Sequence, residues 1–67
     1  MNSVDRLVYM ANQIAANLAN EPDPVAATAT HIRMFWAPRM KQQISEHDAS
    51  GLSAIAAAAL QQLAANR

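Results

Sequence analysis

The sequence predicts an all-α protein, a small bundle of three to four short helices in a single domain that spans residues 1–67. Three observations support this prediction. Apolar residues recur at intervals of three and four near both ends of the chain, as they do on one face of a helix. The prolines fall between the apolar segments, where helices end and begin. No segment alternates apolar and polar residues in the way that predicts a strand.

The first predicted helix runs from about Ser3 to Asn20. Ser3 is its predicted N-cap, and Asp5 lies in the first turn, where a negative charge is favourable. Its apolar stripe is formed by Val4, Leu7, Val8, Ala11, Ile14, Ala15 and Leu18.

The segment Glu21-Pro22-Asp23-Pro24 ends this helix and begins a second one. Asp23 is the predicted N-cap and Pro24 the first helical residue. The second helix is predicted to end near Trp36, because Pro38 disfavours a helical conformation in the residue before it. Its apolar line contains Val25, Ala29, Ile32 and Trp36.

Pro38 is also the predicted first residue of a short third helix, whose apolar residues are Met40 and Ile44. The polar segment Glu46–Gly51 contains the only glycine in the chain and predicts a loop. A fourth helix follows, with Ser53 as its N-cap and four consecutive alanines that allow close approach to a neighbouring helix. Its apolar positions are Leu52, Ile55, Ala56, Ala59, Leu60 and Leu63.

Composition excludes several classes of function. The five basic and five acidic residues leave no net charge, so the chain lacks the positive field of a nucleic-acid-binding domain. No apolar run approaches the roughly 18 residues that span a bilayer. We therefore expect neither nucleic acid nor a membrane as a partner. The absence of cysteine removes disulfides and thiolate metal sites, and it fits the cytoplasm as the expected location.

We expect no catalytic residue, no cofactor-binding residue and no metal ligand in this chain. The two histidines, His31 and His47, lie in different segments and have no evident nucleophile partner. Glu46-His47-Asp48 predicts a solvated loop, because adjacent residues do not converge on one point of a helix.

Residues 31–41 hold the only Phe, the only Trp and three of the five basic residues. Trp36 aligns with the apolar line of the second helix, so we expect it in the core. Phe35 lies off that line and is the better candidate for contact with a partner, since aromatic anchors flanked by arginine often dominate interfaces. The alternative for both aromatic residues is core packing alone. The predicted partner-binding residues are Arg33, Phe35, Arg39, Met40 and Lys41.

Chain length predicts dependence on a partner. A chain of 67 residues buries only about 60% of the surface that it exposes when unfolded, and the alanines among its apolar residues bury little area each. Without disulfides, association becomes the expected source of extra stability. One function that fits is a homo-oligomeric helical adaptor with no link to an enzyme, in which the Val4–Leu18 stripe pairs with itself.

Two blocks of the sequence together resemble a known family. The first is DRLVYMANQIA at 5–15, and the second comprises His31-Ile32-Arg33, Phe35-Trp36 and Pro38-Arg39-Met40. In this order and spacing they are similar to the delta subunit of cytoplasmic NAD-dependent formate dehydrogenase, over nearly the whole chain. The resemblance implies an accessory subunit that carries no cofactor, binds the large alpha subunit and supports its assembly or stability.

The resemblance also implies what the rest of the complex contains. The alpha subunit of such enzymes holds a molybdenum or tungsten bis-pterin centre and iron–sulfur clusters. Other subunits carry FMN, further clusters and the NAD site. Formate is oxidised to carbon dioxide while NAD is reduced. From its small size we also expect the isolated chain to self-associate.

Two features depart from the family pattern. The residue between Trp36 and Pro38 is often acidic in relatives, whereas Ala37 has no side-chain acceptor with which to cap the third helix. The loop before Leu52 is shorter and poorer in glycine, so the geometry between the third and fourth helices is not predicted.

Overall fold

The computed structural model describes residues 3–48 and 50–65, and within these residues it contains four helices and no strand. The predicted all-α fold class is confirmed. The radius of gyration, 10.6 Å, is close to the about 11 Å expected of a compact chain of this length. In chain order the helices are α1 (Ser3–Asn17), α2 (Pro24–Phe35), α3 (Pro38–Ser45) and α4 (Ala54–Ala65).

All four helices contribute to the core. The most extensive helix–helix contact is between α2 and α4, and α1 packs against each of the other three helices. Alanine side chains on α1 and α4 are fully buried, so the helices approach each other closely where these residues lie. The central buried cluster consists of Leu7, Ala11, Ala15, Ile32, Trp36, Ile44 and Ala56.

Helix α1 uses the predicted apolar stripe as its inner face. Leu7, Ala11 and Ala15 are buried, and the other members of the stripe are half-buried. Self-pairing through this stripe, the basis of the adaptor alternative, would therefore require the core to open. Ser3 is the first described residue and is already helical, so the predicted N-cap at Ser3 is not tested. The helix ends at Asn17 rather than at residue 20, because the chain already turns towards Pro22.

The predicted boundaries of α2 and α3 are confirmed. Asp23 Oδ1 accepts a hydrogen bond from the Ala26 N–H at 3.1 Å, and Pro24 is the first helical residue. Trp36 follows α2 with an extended backbone (ψ 139°). Pro38 then begins α3, whose N-cap position, Ala37, makes no side-chain cap hydrogen bond.

Asn12 joins α1 to the segment before α4 through two hydrogen bonds. Its Nδ2 donates to the Gly51 carbonyl oxygen at 2.8 Å, and its Oδ1 accepts from the Ser53 N–H at 2.8 Å. Ser53 Oγ in turn accepts from the Ala56 N–H at 3.2 Å, which confirms Ser53 as the N-cap of α4. The side chain of Asn12 therefore sets where α4 begins relative to α1.

Gly51 lies next to α1, at a position whose backbone conformation favours glycine. Its φ is +83°, a conformation that side chains other than glycine rarely adopt. Space is not the constraint, because a Cβ atom there would lie 3.4 Å from Val8 Cγ1, an ordinary van der Waals contact. The single glycine of this loop therefore lies at the position where the backbone conformation favours it.

Thr28 is a polar residue in the core that the sequence pattern did not predict. Its side chain is fully buried, and Thr28 Oγ1 has no hydrogen-bond partner among the residues described. A buried hydroxyl group without a partner costs about 1–3 kcal/mol of stability. Periodicity places Thr28 one position before the predicted apolar residue Ala29, at the edge of the buried face.

We expect Asn12→Ala to lower the free energy of unfolding by about 1–3 kcal/mol, because it removes two hydrogen bonds that are each worth about 0.5–1.5 kcal/mol. Urea unfolding followed by circular dichroism measures this change. Gln13→Ala is the matched control, since Gln13 Nε2 donates only to the exposed Tyr9 hydroxyl oxygen, and it should change stability by less than about 0.5 kcal/mol. Equal effects of the two substitutions would contradict the role of Asn12.

We expect Ala37→Asp to stabilise the chain by about 1 kcal/mol, because it supplies the missing N-cap of α3 and a negative charge next to Arg39. Thermal unfolding measures the gain. Ala37→Asn should retain most of it, since an amide oxygen also caps, whereas Ala37→Leu should give none. If Ala37→Leu stabilises as much as Ala37→Asp, capping is not the cause.

Candidate functional site

The end of α2 places three successive bulky residues in different environments. Trp36 is buried, with 6% of its surface exposed, whereas Met34 and Phe35 are 67% and 69% exposed. Ile32 is fully buried. Because helical residues are about 100° apart, a helix that buries Ile32 and Trp36 must turn Met34 away from the core. The core position of Trp36 is confirmed, and Phe35 lies on the surface.

Met34 and Phe35 form one end of a shallow groove, which we call the Phe35 groove. The His31 ring packs against the Phe35 ring, with centroids 4.8 Å apart and planes inclined by 42°. The groove follows α2 back to the α1–α2 turn, where Leu18 and Pro22 line it. Its remaining lining residues are Glu21, Asp23, Ala26, Ala27 and Thr30.

A second groove, which we call the Arg33 groove, runs between α2, α3 and α4 and has a volume of about 840 Å³. Arg33, Lys41 and Glu46 are its charged lining residues. Lys41 Nζ donates to the Arg33 carbonyl oxygen at 3.2 Å. This hydrogen bond satisfies one of the carbonyl groups that the end of a helix leaves without a partner. Lys41 therefore ties α3 to the end of α2.

The structure divides the five predicted partner-binding residues. Phe35 lines one groove, whereas Arg33 and Lys41 line the other. Arg39 is exposed on the first turn of α3, and Met40 is half-buried against the core; neither lines either of these two grooves. Within residues 3–48 and 50–65, neither Arg33 nor Arg39 forms an ion pair. Both charges are therefore free to meet an acidic surface.

Sequence reasoning missed Met34 and His31 as surface neighbours of Phe35. A signal for Met34 was present, since three consecutive helical residues cover about 200° and cannot all face one core. His31 precedes Phe35 by four positions, the spacing at which helical side chains meet. The contribution of Leu18 and Pro22 had no such signal, because it depends on the α1–α2 turn lying beside α2.

The polar residues of the α3–α4 connection contact one another. His47 Nε2 lies 2.9 Å from the Ser50 carbonyl oxygen and 3.7 Å from Asp48 Oδ1. Asp48 Oδ1 also accepts from the Ser50 N–H at 3.0 Å. These contacts stabilise the turn between α3 and α4. In the part of the chain that the structure describes, no three His, Cys, Asp or Glu side chains come together as a metal site.

Trp36→Ala and Phe35→Ala should differ sharply in stability. We expect Trp36→Ala to cost about 3–5 kcal/mol, because it opens a cavity in the core, and Phe35→Ala to cost less than about 1 kcal/mol at its exposed position. Trp36 is the only tryptophan, so its replacement removes the tryptophan fluorescence that would report unfolding. Urea unfolding is therefore followed by circular dichroism. Trp36→Phe, a smaller truncation, extends the comparison if Trp36→Ala does not fold. A larger loss from Phe35→Ala than from either Trp36 variant would mean that α2 is rotated.

Among the described residues, no helix has the length and apolar character needed to cross a membrane. No curated protein and no solved structure matches the chain. One family does match: the sequence model of the NADH-dependent formate dehydrogenase delta subunit, FdsD, aligns with residues 6–60 of the 67. The aligned region includes all of α2 and α3, and therefore the residues of these two helices that line the two grooves. The chain belongs to the FdsD family of formate dehydrogenase delta subunits.

Proposed function

We propose that this chain is a non-catalytic delta subunit that binds the large alpha subunit of a cytoplasmic NAD-dependent formate dehydrogenase and supports its assembly or stability. The complex oxidises formate to carbon dioxide and reduces NAD to NADH. The molybdenum or tungsten bis-pterin, the iron–sulfur clusters, FMN and NAD belong to its other subunits. This chain supplies a binding surface and no reactive group.

The observation that carries the proposal is the adjacent exposed pair Met34 and Phe35. Arg33, which lines the other groove, and Arg39 add positive charge that pairs with no carboxylate among the described residues. In the part of the chain described, Tyr9 is the only other large apolar side chain that is exposed. Aromatic residues, methionine and arginine are enriched at protein interfaces relative to other surfaces. A chain with a small core that leaves such residues outside gains stability when a partner covers them.

The predicted residues take different parts in this contact. Phe35, with Met34, is the apolar anchor. Arg33 and Arg39 supply charge towards acidic residues of the alpha subunit. Lys41 holds the end of α2 and adds a further positive charge. Met40, half-buried against the core, supports the α2–α3 corner from beneath.

Co-purification of the alpha subunit with the tagged chain, expressed with the whole complex, tests this proposal. We expect Phe35→Ala to lose about 2 kcal/mol of binding, roughly a 30-fold weaker affinity, because it removes a central aromatic anchor. Tyr9→Ala is the matched control, since it removes an exposed aromatic residue from α1 instead. The ratio of alpha subunit to tagged chain is the measurement.

The charged part of the surface is tested in the same assay. Arg33→Glu and Arg39→Glu together should weaken co-purification further and lower its sensitivity to salt. Failure of the wild-type chain to retain the alpha subunit would overturn the proposal, as would equal retention by Phe35→Ala and Tyr9→Ala. Recovery of self-associated chain alone would favour the adaptor alternative.

A further inference from the structure

The Phe35 groove is acidic at one end and apolar at the other. Glu21 and Asp23 line it at the α1–α2 turn, and Met34 and Phe35 line it at the end of α2. No Lys or Arg lines this groove, and within the described ranges neither carboxylate forms an ion pair. Asp23 Oδ1 accepts the Ala26 N–H, which leaves the charge of the carboxylate without a cation. A partner that covers this end of the groove must therefore bring positive charge, because it would otherwise bury two carboxylates without a cation.

The lining of the groove has the form of a helix-packing surface. On α2 the lining residues fall in two neighbouring rows with a spacing of four, which are the rows between which the side chains of a second helix pack. The small residues near the turn allow a close approach, and the large ones close the other end. From Ala26 to Phe35 this face is about 14 Å long, or roughly two and a half helical turns. The pairs are Ala26 and Ala27, Thr30 and His31, and Met34 and Phe35.

We infer that the Phe35 groove receives an amphipathic helix of the alpha subunit that carries Lys or Arg at its C-terminal end and lies antiparallel to α2. This inference rests on the proposed function. The apolar face of that helix packs on Met34 and Phe35, and its basic residues pair with Glu21 and Asp23. Positive side chains are favourable near the C-terminus of a helix. We therefore place the C-terminus of the partner helix over Glu21 and Asp23 at the α1–α2 turn, which makes the partner helix antiparallel to α2.

A second copy of this chain fits the groove less well. If two copies paired antiparallel through α2, Glu21 and Asp23 of each copy would lie over the apolar residues Met34 and Phe35 of the other. If they paired parallel, the acidic ends would meet. Either arrangement covers carboxylates without supplying a cation from the groove lining, which is unfavourable.

Photo-crosslinking in the assembled enzyme tests the occupant. A benzophenone-bearing phenylalanine analogue replaces Pro22, an exposed residue at the acidic end, and in a control replaces Gln61, an exposed residue of α4 that lines neither groove. We expect the Pro22 position to cross-link to a segment of the alpha subunit whose sequence has apolar residues three or four apart. Lys or Arg should lie at the C-terminal end of that helical segment in the alpha-subunit sequence, whatever the site of protease cleavage. A peptide of this chain, of another subunit or without a basic residue would overturn the inference. So would the absence of any product at the Pro22 position.

Charge reversal provides a second test that does not depend on the cross-linker. Glu21→Lys should weaken retention of the alpha subunit by about ten-fold, whereas Glu46→Lys, the same change in the Arg33 groove, should weaken it far less. Glu21→Gln should lower the salt dependence of binding. If wild-type retention fails, the proposed function itself is wrong. If wild-type retention holds but Glu21→Lys behaves like Glu46→Lys, only the groove assignment is wrong.

Discussion

Burial of Trp36 fixes the rotation of α2, and the surface of the chain depends on that rotation. Ile32 and Trp36 lie on the same inner face and are 0% and 6% exposed. Hydrophobic stabilisation grows with the apolar area removed from water, so the rotation that buries the indole is favoured over one that buries a smaller neighbour. Met34 and Phe35 are exposed as a consequence. The same contact that stabilises the fold thus creates the proposed docking surface.

Much of the fold was predictable because its determinants are local. Asp23 and Ser53 cap helices through contacts three residues away, and periodicity alone identified the buried faces. The hydrogen bonds of Asn12 were not predictable, because they join residues 39 and 41 positions apart. The full burial of Thr28 was missed for a related reason. It depends on which part of the chain covers that side of α2, which no local pattern specifies.

The candidate site was predictable in composition but not in arrangement. Sequence reasoning identified Phe35 as the surface aromatic residue and Arg33 as its charged neighbour. It treated them as one patch, although residues two positions apart on a helix lie on nearly opposite sides. The position of Glu21 beside α2 required knowledge of the α1–α2 turn. Neighbours along the chain therefore indicated which residues take part, whereas the three-dimensional fold indicated which of them share a groove.

A partner helix on α2 would also stabilise the fold that presents it. A chain of this length has a free energy of unfolding of about 3–10 kcal/mol. A partner present at about 100 times its dissociation constant adds about 2.7 kcal/mol, a substantial fraction of that total. Because α2 carries Trp36 on one side and Phe35 on another, covering the outer side opposes any opening of the core. Folding and binding are therefore coupled through this one helix, and damage to either face weakens both.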